Sequence, residues 1–274
     1  MTRKSSILPI VLSSIFVISI CSFVFSQNAV AQDSASPSVE PASIPEPATD
    51  IFPSYLQSLE QYRQNEQQFK IAKQQYLQLG TLAALEEVTQ RSQQAQLTRN
   101  TILDYYFQLL MHAFSRTDGI ELGEKNLELD RITFILSFLK TQKASLTIAE
   151  TYQELDTLNT VLGGNQENIE TVAYETLILK KMGQLQTSID HLKSVSSKVY
   201  EGVEKTPEND RAYAEITRTI EQAELELNQT LAAYLEETNA TASKSDTYQD
   251  YMDRLNAPYI KIKKTLNYIK ELRS

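Results

Sequence analysis

Past Pro53, apolar residues return every three or four positions, with Gln, Glu, Lys and Ala in the intervals. That spacing is the mark of an amphipathic α-helix. No run of alternating β-branched residues bounded by turn signals occurs, so a sheet is not expected. The pattern predicts an all-α fold: an elongated antiparallel bundle of five to seven long helices in coiled-coil-like hairpins.

The first helix, about Ser54 to Leu79, sets Tyr55, Tyr62, Phe69 and Tyr76 at seven-residue intervals, with Leu59, Glu66 and Lys73 between them. Bulky groups at that interval form a coiled-coil-like stripe. A second helix, about Leu82 to Arg116, carries Leu85, Val88, Ser92, Ala95, Arg99, Ile102, Tyr106, Leu109 and Ala113 in a different phase. The break falls at Gly80-Thr81, where glycine suits a C′ position and threonine an N-cap. Folding back there, in preference to one kinked helix, opposes Tyr55 to Tyr106, Leu59 to Ile102 and Phe69 to Ser92, with Glu66 within a turn of Arg99. Charges on such a seam more often fix register than catalyse.

Asp118-Gly119 ends that hairpin. A third helix is expected from about Ile120 to Leu162, with Leu127, Ile132, Ile135, Leu136, Leu139, Leu146, Ala149, Leu155 and Leu158 on its apolar side and a bend near 141–144. Gly163-Gly164-Asn165 reads as the strongest break. A fourth helix follows, about Gln166 to Glu204. Thr206-Pro207-Glu208 has the N-cap, N1 proline and first-turn acid of a helix start. The fifth helix runs to about Thr238, 239–245 is a loop, and a last helix from Asp246 bends near Pro258.

Ahead of this body, Arg3 and Lys4 precede an apolar run from Ile7 to Phe25, and Ala29-Val30-Ala31 is a small-x-small site. The order is that of a signal peptide over residues 1–31; an uncleaved anchor is the alternative, the run being close to the ~20 residues that span a bilayer. Residues 32–53 hold Pro37, Pro41, Pro45 and Pro47 among Ser, Ala and Glu and read as a disordered Pro/Ser-rich linker. The helical body is then 54–274, with a first hairpin at about 54–117 and the remainder at about 120–274. The predicted location is outside the cytoplasm, in a periplasm or at a cell surface, with membrane contact only through the N-terminal segment if it stays uncleaved.

Composition narrows the chemistry. Cys21 is the only cysteine and lies in the leader, so a cleaved chain has no disulfide, thiolate or cysteine-held metal. Losing Arg3 and Lys4 with residues 1–31, which contain no acid, takes the formal charge from -9 to -11. That argues against a nucleic-acid partner, which needs clustered Lys and Arg. The basic tail (Lys261, Lys263, Lys264, Lys270, Arg273) suits a helix C-terminus. His112 and His191 stand alone; Leu109 and Ser188 occupy the places where a di-iron Glu-x-x-His motif needs Glu. No nucleophile elbow or glycine-rich phosphate loop occurs. No catalytic, cofactor-binding or metal residue is therefore assigned, and no cofactor is expected. The 14 tyrosines, with no tryptophan, read chiefly as seam packing, with hydroxyls at the bundle edge for Tyr55, Tyr62 and Tyr76. Asn228 and Asn239 head glycosylation sequons, the first of them in mid-helix.

The order of leader, Pro/Ser spacer and helical hairpins resembles bacterial cell-envelope proteins in architecture, and the likeness carries over no site. The expected function is a non-enzymatic structural or interaction protein of the envelope, meeting a protein partner or a second copy through an apolar helix face. The alternative is an extracytoplasmic ligand-binding or sensor-type bundle, with an apolar pocket lined by tyrosines and His112.

Overall fold

The structure is a computed structural model, and it describes residues 51–237 and 244–273. The leader, most of the linker, Asn239 and most of the predicted 239–245 loop lie outside the described residues. These contain eight α-helices and no strand: α1 Ile51–Leu79, α2 Leu82–Ser115, α3 Leu122–Ile148, α4 Tyr152–Gly164, α5 Gln166–Gly202, α6 Pro207–Glu237, α7 Lys244–Arg254 and α8 Asn256–Arg273. Six of them are 18 residues or longer, so the expected all-α helical bundle is observed.

The first two helices fold back on each other as an antiparallel hairpin. Gly80 takes φ 61°, open to glycine without the Cβ penalty, and its N–H donates to the Tyr76 carbonyl at 2.9 Å. Thr81 caps α2 by accepting from the Ala84 N–H. The expected register holds: Arg91 Nη1 donates to Gln68 Oε1 at 2.6 Å, Tyr55 lies against Tyr106, and Phe69 and Ser92 face one cleft. Tyr55 is buried, correcting the expectation that its hydroxyl reaches solvent. Glu66 does not meet Arg99 as an ion pair; it pairs with Lys70 at 3.0 Å on its own helix. Helix α1 also begins at Ile51, inside the predicted linker, because Pro53 falls in a first turn that needs no N–H from it.

The predicted third helix is two helices, and the break lies at 149–151, not 141–144. Thr151 accepts from the Glu154 N–H, while Glu154 accepts from the N–H groups of Thr151 and Glu150. This is a full capping box, strong enough to start a new helix. Gln93 of α2 donates to the carbonyls of Leu146 and Ala149 at the open end of α3. Thr151→Ala should cost about 1 kcal/mol, read as a lower urea midpoint at unchanged m-value.

The Gly163-Gly164-Asn165 break is observed, with α5 starting at Gln166 as expected. Both glycines remain helical and the chain turns at Asn165 alone, whose N–H bonds back to Val161 and Leu162. The Thr206 cap behaves as predicted, accepting from the Asn209 N–H. The last helix divides at Leu255, not at Pro258, since Pro258 sits in the first turn of α8 where its missing donor costs nothing.

Helix α5 is central, packing on every other described helix except α1, whose backbone comes close to that of α2 alone. Over 172–185 α5 is buried on several sides: Val172, Ala173, Thr176, Ile178, Leu179, Lys180, Met182, Gly183 and Leu185 are all covered. Around it the core gathers Phe107, Phe114, Ile132, Ile135, Leu139, Leu155, Ile216 and Leu255. Tyrosines form part of this core. Burial holds the Tyr106 hydroxyl well above the usual range, with Tyr55, Tyr248 and Tyr174 close by, and Tyr234 meets Tyr251 edge to face at 5.4 Å.

Candidate functional site

Three places bring chemistry together. The first is a polar cleft where α1, α2 and α4 meet. Its volume is about 140 Å³. Helix α1 contributes Tyr62, Glu66, Phe69 and Lys73, α2 contributes Ser92, Ala95, Gln96 and Arg99, and α4 contributes Tyr152, Asp156 and Asn159. Helical spacing explains the set. Positions 62, 66, 69 and 73 lie on one face of α1, and 92, 95, 96 and 99 on one face of α2. The three charged seam residues singled out in the sequence, Glu66, Lys73 and Arg99, are therefore neighbours in one cleft.

Its hydrogen bonds are specific. Arg99 Nη2 donates to Asn159 Oδ1 at 2.8 Å. Gln96 Nε2 donates to the Leu155 carbonyl at 3.0 Å and to Ser92 Oγ at 3.2 Å. Two polar atoms here are buried with no partner: Gln96 Oε1 and Arg99 Nε. Burial lowers the Arg99 guanidinium from its ordinary value, opposed by Tyr62 and Glu66. Burial and then the Glu66 carboxylate raise the Tyr62 phenol.

The second place is a buried ion cluster joining α3, α5 and α6. Glu128 is 2% exposed. Its Oε1 accepts from Thr176 Oγ1 at 2.6 Å and its Oε2 from Arg131 Nη1 at 2.7 Å. Arg131 also pairs with Glu175. Burial, more than any other cause, holds the Glu128 carboxyl above the usual carboxylate range, with Thr176 and Arg131 opposing. Tyr234 of α6 faces the same charges. This cluster fastens helices together and presents no open reacting position.

The third is the outer face of α3. Ile132, Ile135, Leu139 and Leu146 are buried inside, yet Leu127 (64% exposed), Phe134 (64%) and Ile148 (79%) face solvent. Leu127 thus departs from the buried side predicted for it. A helix apolar on both sides is normally covered on both. Residues 127, 134 and 148 fall on one stripe of seven-residue spacing with Thr141 between them, and the charges beside it, Glu124, Asp130 and Arg131, are all at its N-terminal half.

Of the tyrosine and His112 pocket expected for a ligand-binding bundle, Tyr62 and Tyr152 line the first cleft and His112 does not. His112 lies in the last turn of α2, its imidazole lowered by burial and by Arg116, and His191 is exposed on α5. A second cleft of about 150 Å³, between the α2–α3 loop, α5 and α6, is lined mainly by Ile120, Leu179, Met182, Leu227 and Leu231. Among the described residues no group of three or more His, Cys, Asp and Glu is placed to hold a metal ion, and no helix is long and apolar enough to cross a membrane. In the basic tail, Lys261 pairs with Glu226 of α6 at 2.8 Å, which gives that lysine a packing role. Gln96, Asp156 and Asn159 were not singled out from the sequence, and neither was Phe134. The available signals were a glutamine one turn before a seam arginine, and a second heptad on α3.

Comparison with protein-family models, with curated proteins and with solved structures finds no match to this chain.

Proposed function

We propose that this chain is an exported, non-enzymatic interaction protein of a bacterial cell envelope, and that the outer face of α3 is its docking surface. The observation that carries the reading is the doubled apolar character of α3, with Leu127, Phe134 and Ile148 exposed along one line. Residues 127–148 extend over about 32 Å of helix axis at 1.5 Å per residue. A partner helix with apolar residues at the same interval would cover them by side-to-side packing. Export rests on the basic, apolar and small-residue order of residues 1–31.

The test places a photo-crosslinking amino acid at position 127, 134 or 148 of the full chain in its host, with position 208, an exposed polar site on α6, as control. Adducts confined to the three stripe positions are expected, and light scattering of the purified chain assigns them to a second copy or to another protein. Adducts equally frequent at 208, or absent from all three stripe positions, would overturn the reading.

A further inference from the structure

The outer face of α3 carries two rows of residues, and the second is shaped to receive the first. Leu127, Phe134, Thr141 and Ile148 recur at seven-residue intervals. Beside them, three residues on or four back, run Gly123, Asp130, Ser137 and Ala144, all of them exposed. Positions at those steps are neighbours on the helix surface. Apart from Asp130, the second row is small and uncharged. Two adjacent rows with a seven-residue period are the two halves of a helix-pairing seam.

Two copies of this face fit together in one direction. Laid antiparallel about the midpoint between Ile135 and Leu136, each row meets the other: Leu127 faces Ala144, Phe134 faces Ser137, and Ile148 faces Gly123. The same large-against-small matching sets Phe69 and Ser92 in one cleft of the α1–α2 hairpin. Asp130 then lies opposite Thr141, beside Lys140 of the second copy. Lys140 is exposed and borders the second row from outside, so the twofold arrangement makes this ion pair twice. Arg131 is taken up by Glu128 and Glu175 of its own chain. Parallel pairing would set every residue on itself: Phe134 on Phe134, a gap at Ala144, and two Asp130 carboxylates together. Such like-charge contacts oppose association. A patch that matches itself antiparallel closes as a twofold dimer.

We infer that the partner on α3 is a second copy of this chain, docked antiparallel through the two rows with Asp130 against Lys140. This rests on the docking surface proposed above and names its occupant. A single pair of helices is at the small end of specific interfaces. The dimer is therefore expected to be reversible, with a dissociation constant of about 1–100 μM.

The experiment is sedimentation equilibrium of the chain purified from its host, from well below to well above that range. Phe134 is 64% exposed, so Phe134→Glu leaves the monomer folded and should weaken dimerisation at least tenfold. Asp130→Lys and Lys140→Asp should each weaken it severalfold, because each sets like charges together. Combined in one chain, the two should restore the original constant to within about twofold, a rescue that only the antiparallel register supplies. A monomer at every concentration would overturn the inference. So would a dimer indifferent to Phe134→Glu, or a double variant no tighter than the single ones. The docking surface is judged apart from this. A monomer whose crosslinks from 127, 134 and 148 go to a different protein refutes the second copy and leaves that surface standing; a monomer with no crosslinks removes both.

Discussion

Gly183→Ala will destabilise this protein by about 2–3 kcal/mol, although the same change is usually favourable in a helix. Alanine exceeds glycine by about 1 kcal/mol in helix interiors, and Gly183 lies well inside α5. A Cβ at that position, however, would stand 2.6 Å from the Asp118 carbonyl oxygen, 2.6 Å from Ile120 Cγ1 and 2.8 Å from Thr117 Cγ2. Two of these are side chains, but the carbonyl is backbone and cannot yield alone. The opposing loop is constrained as well: Gly119 has φ +77°, and a Cβ there would come within 2.5 Å of the Gly183 carbonyl oxygen. Overpacking of this kind costs about 1–3 kcal/mol, and a left-handed backbone adds about 1–2 kcal/mol for any other residue at 119. Gly119→Ala should therefore cost at least as much as Gly183→Ala. The double variant should fall short of the sum, because the two sites touch. Gly123→Ala is the control. Nothing lies within 4 Å of its Cβ, so it should be neutral or stabilising by up to about 1 kcal/mol. Urea unfolding of the four variants reads all of this. If Gly183→Ala proved as stable as Gly123→Ala, the α2–α3 loop could not lie against α5 as described.

That contact marks the limit of what the sequence discloses. Helical periodicity is a local property, so α1, α2 and α6 and the hairpin register could be read from Tyr55, Phe69, Ser92 and the Gly80-Thr81 and Thr206-Pro207 signals. The breaks at 149–151 and at Leu255 fall away from 141–144 and Pro258, where the sequence pattern puts them. The Thr151-x-x-Glu154 box outranks the polar interruption at 141–144, and a proline in the first turn of a helix bends nothing. Gly183 carried the remaining hint, since an isolated glycine within a helical pattern often marks close approach. Its partner, 64 residues earlier, has no signature in the sequence.

The site was legible in pieces. Glu66, Lys73 and Arg99 announced themselves as charges on an apolar seam, but α4 enters their cleft through tertiary packing alone, so Tyr152, Asp156 and Asn159 could not be joined to them in advance. On α3 the difficulty was reversed. Both faces are apolar, and periodicity alone does not say which of them is turned inward; Leu127 was assigned to the wrong side for that reason, and the exposed line through Phe134 and Ile148 was invisible until the inner face was known.

Arg131→Met will have the second large effect, and its sign depends on pH. In the native protein Arg131 stands between Glu128 and Glu175, with side chains 3% and 15% exposed. Removing the cation leaves two carboxylates facing each other with little water. Breaking a buried pair in this way costs about 3–5 kcal/mol; since Arg131 itself is a third exposed, about 2–4 kcal/mol is expected near neutral pH. Glu128 already has a carboxyl raised by burial, and losing Arg131 removes an influence that lowers it. A carboxyl raised on folding binds protons more tightly in the folded chain. Its contribution is therefore complete below the unfolded value, and declines as pH rises through the folded one. The variant should recover much of its lost stability on acidification from pH 7 towards 5. The neutral acid has a place ready: Thr176 Oγ1 lies 2.6 Å from both Glu128 Oε1 and the Val172 carbonyl, and one hydroxyl proton cannot serve both acceptors. A protonated Glu128 can donate to that hydroxyl and free its proton for Val172. Glu128→Gln alone should accordingly be neutral or mildly stabilising at pH 7, and Glu128→Gln combined with Arg131→Met should be more stable there than Arg131→Met alone. Melting temperatures of the three variants at pH 5 and pH 7 measure these differences. An Arg131→Met deficit that is the same at both pH values, or that Glu128→Gln does not reduce, would mean that the helices are not held by this charge cluster.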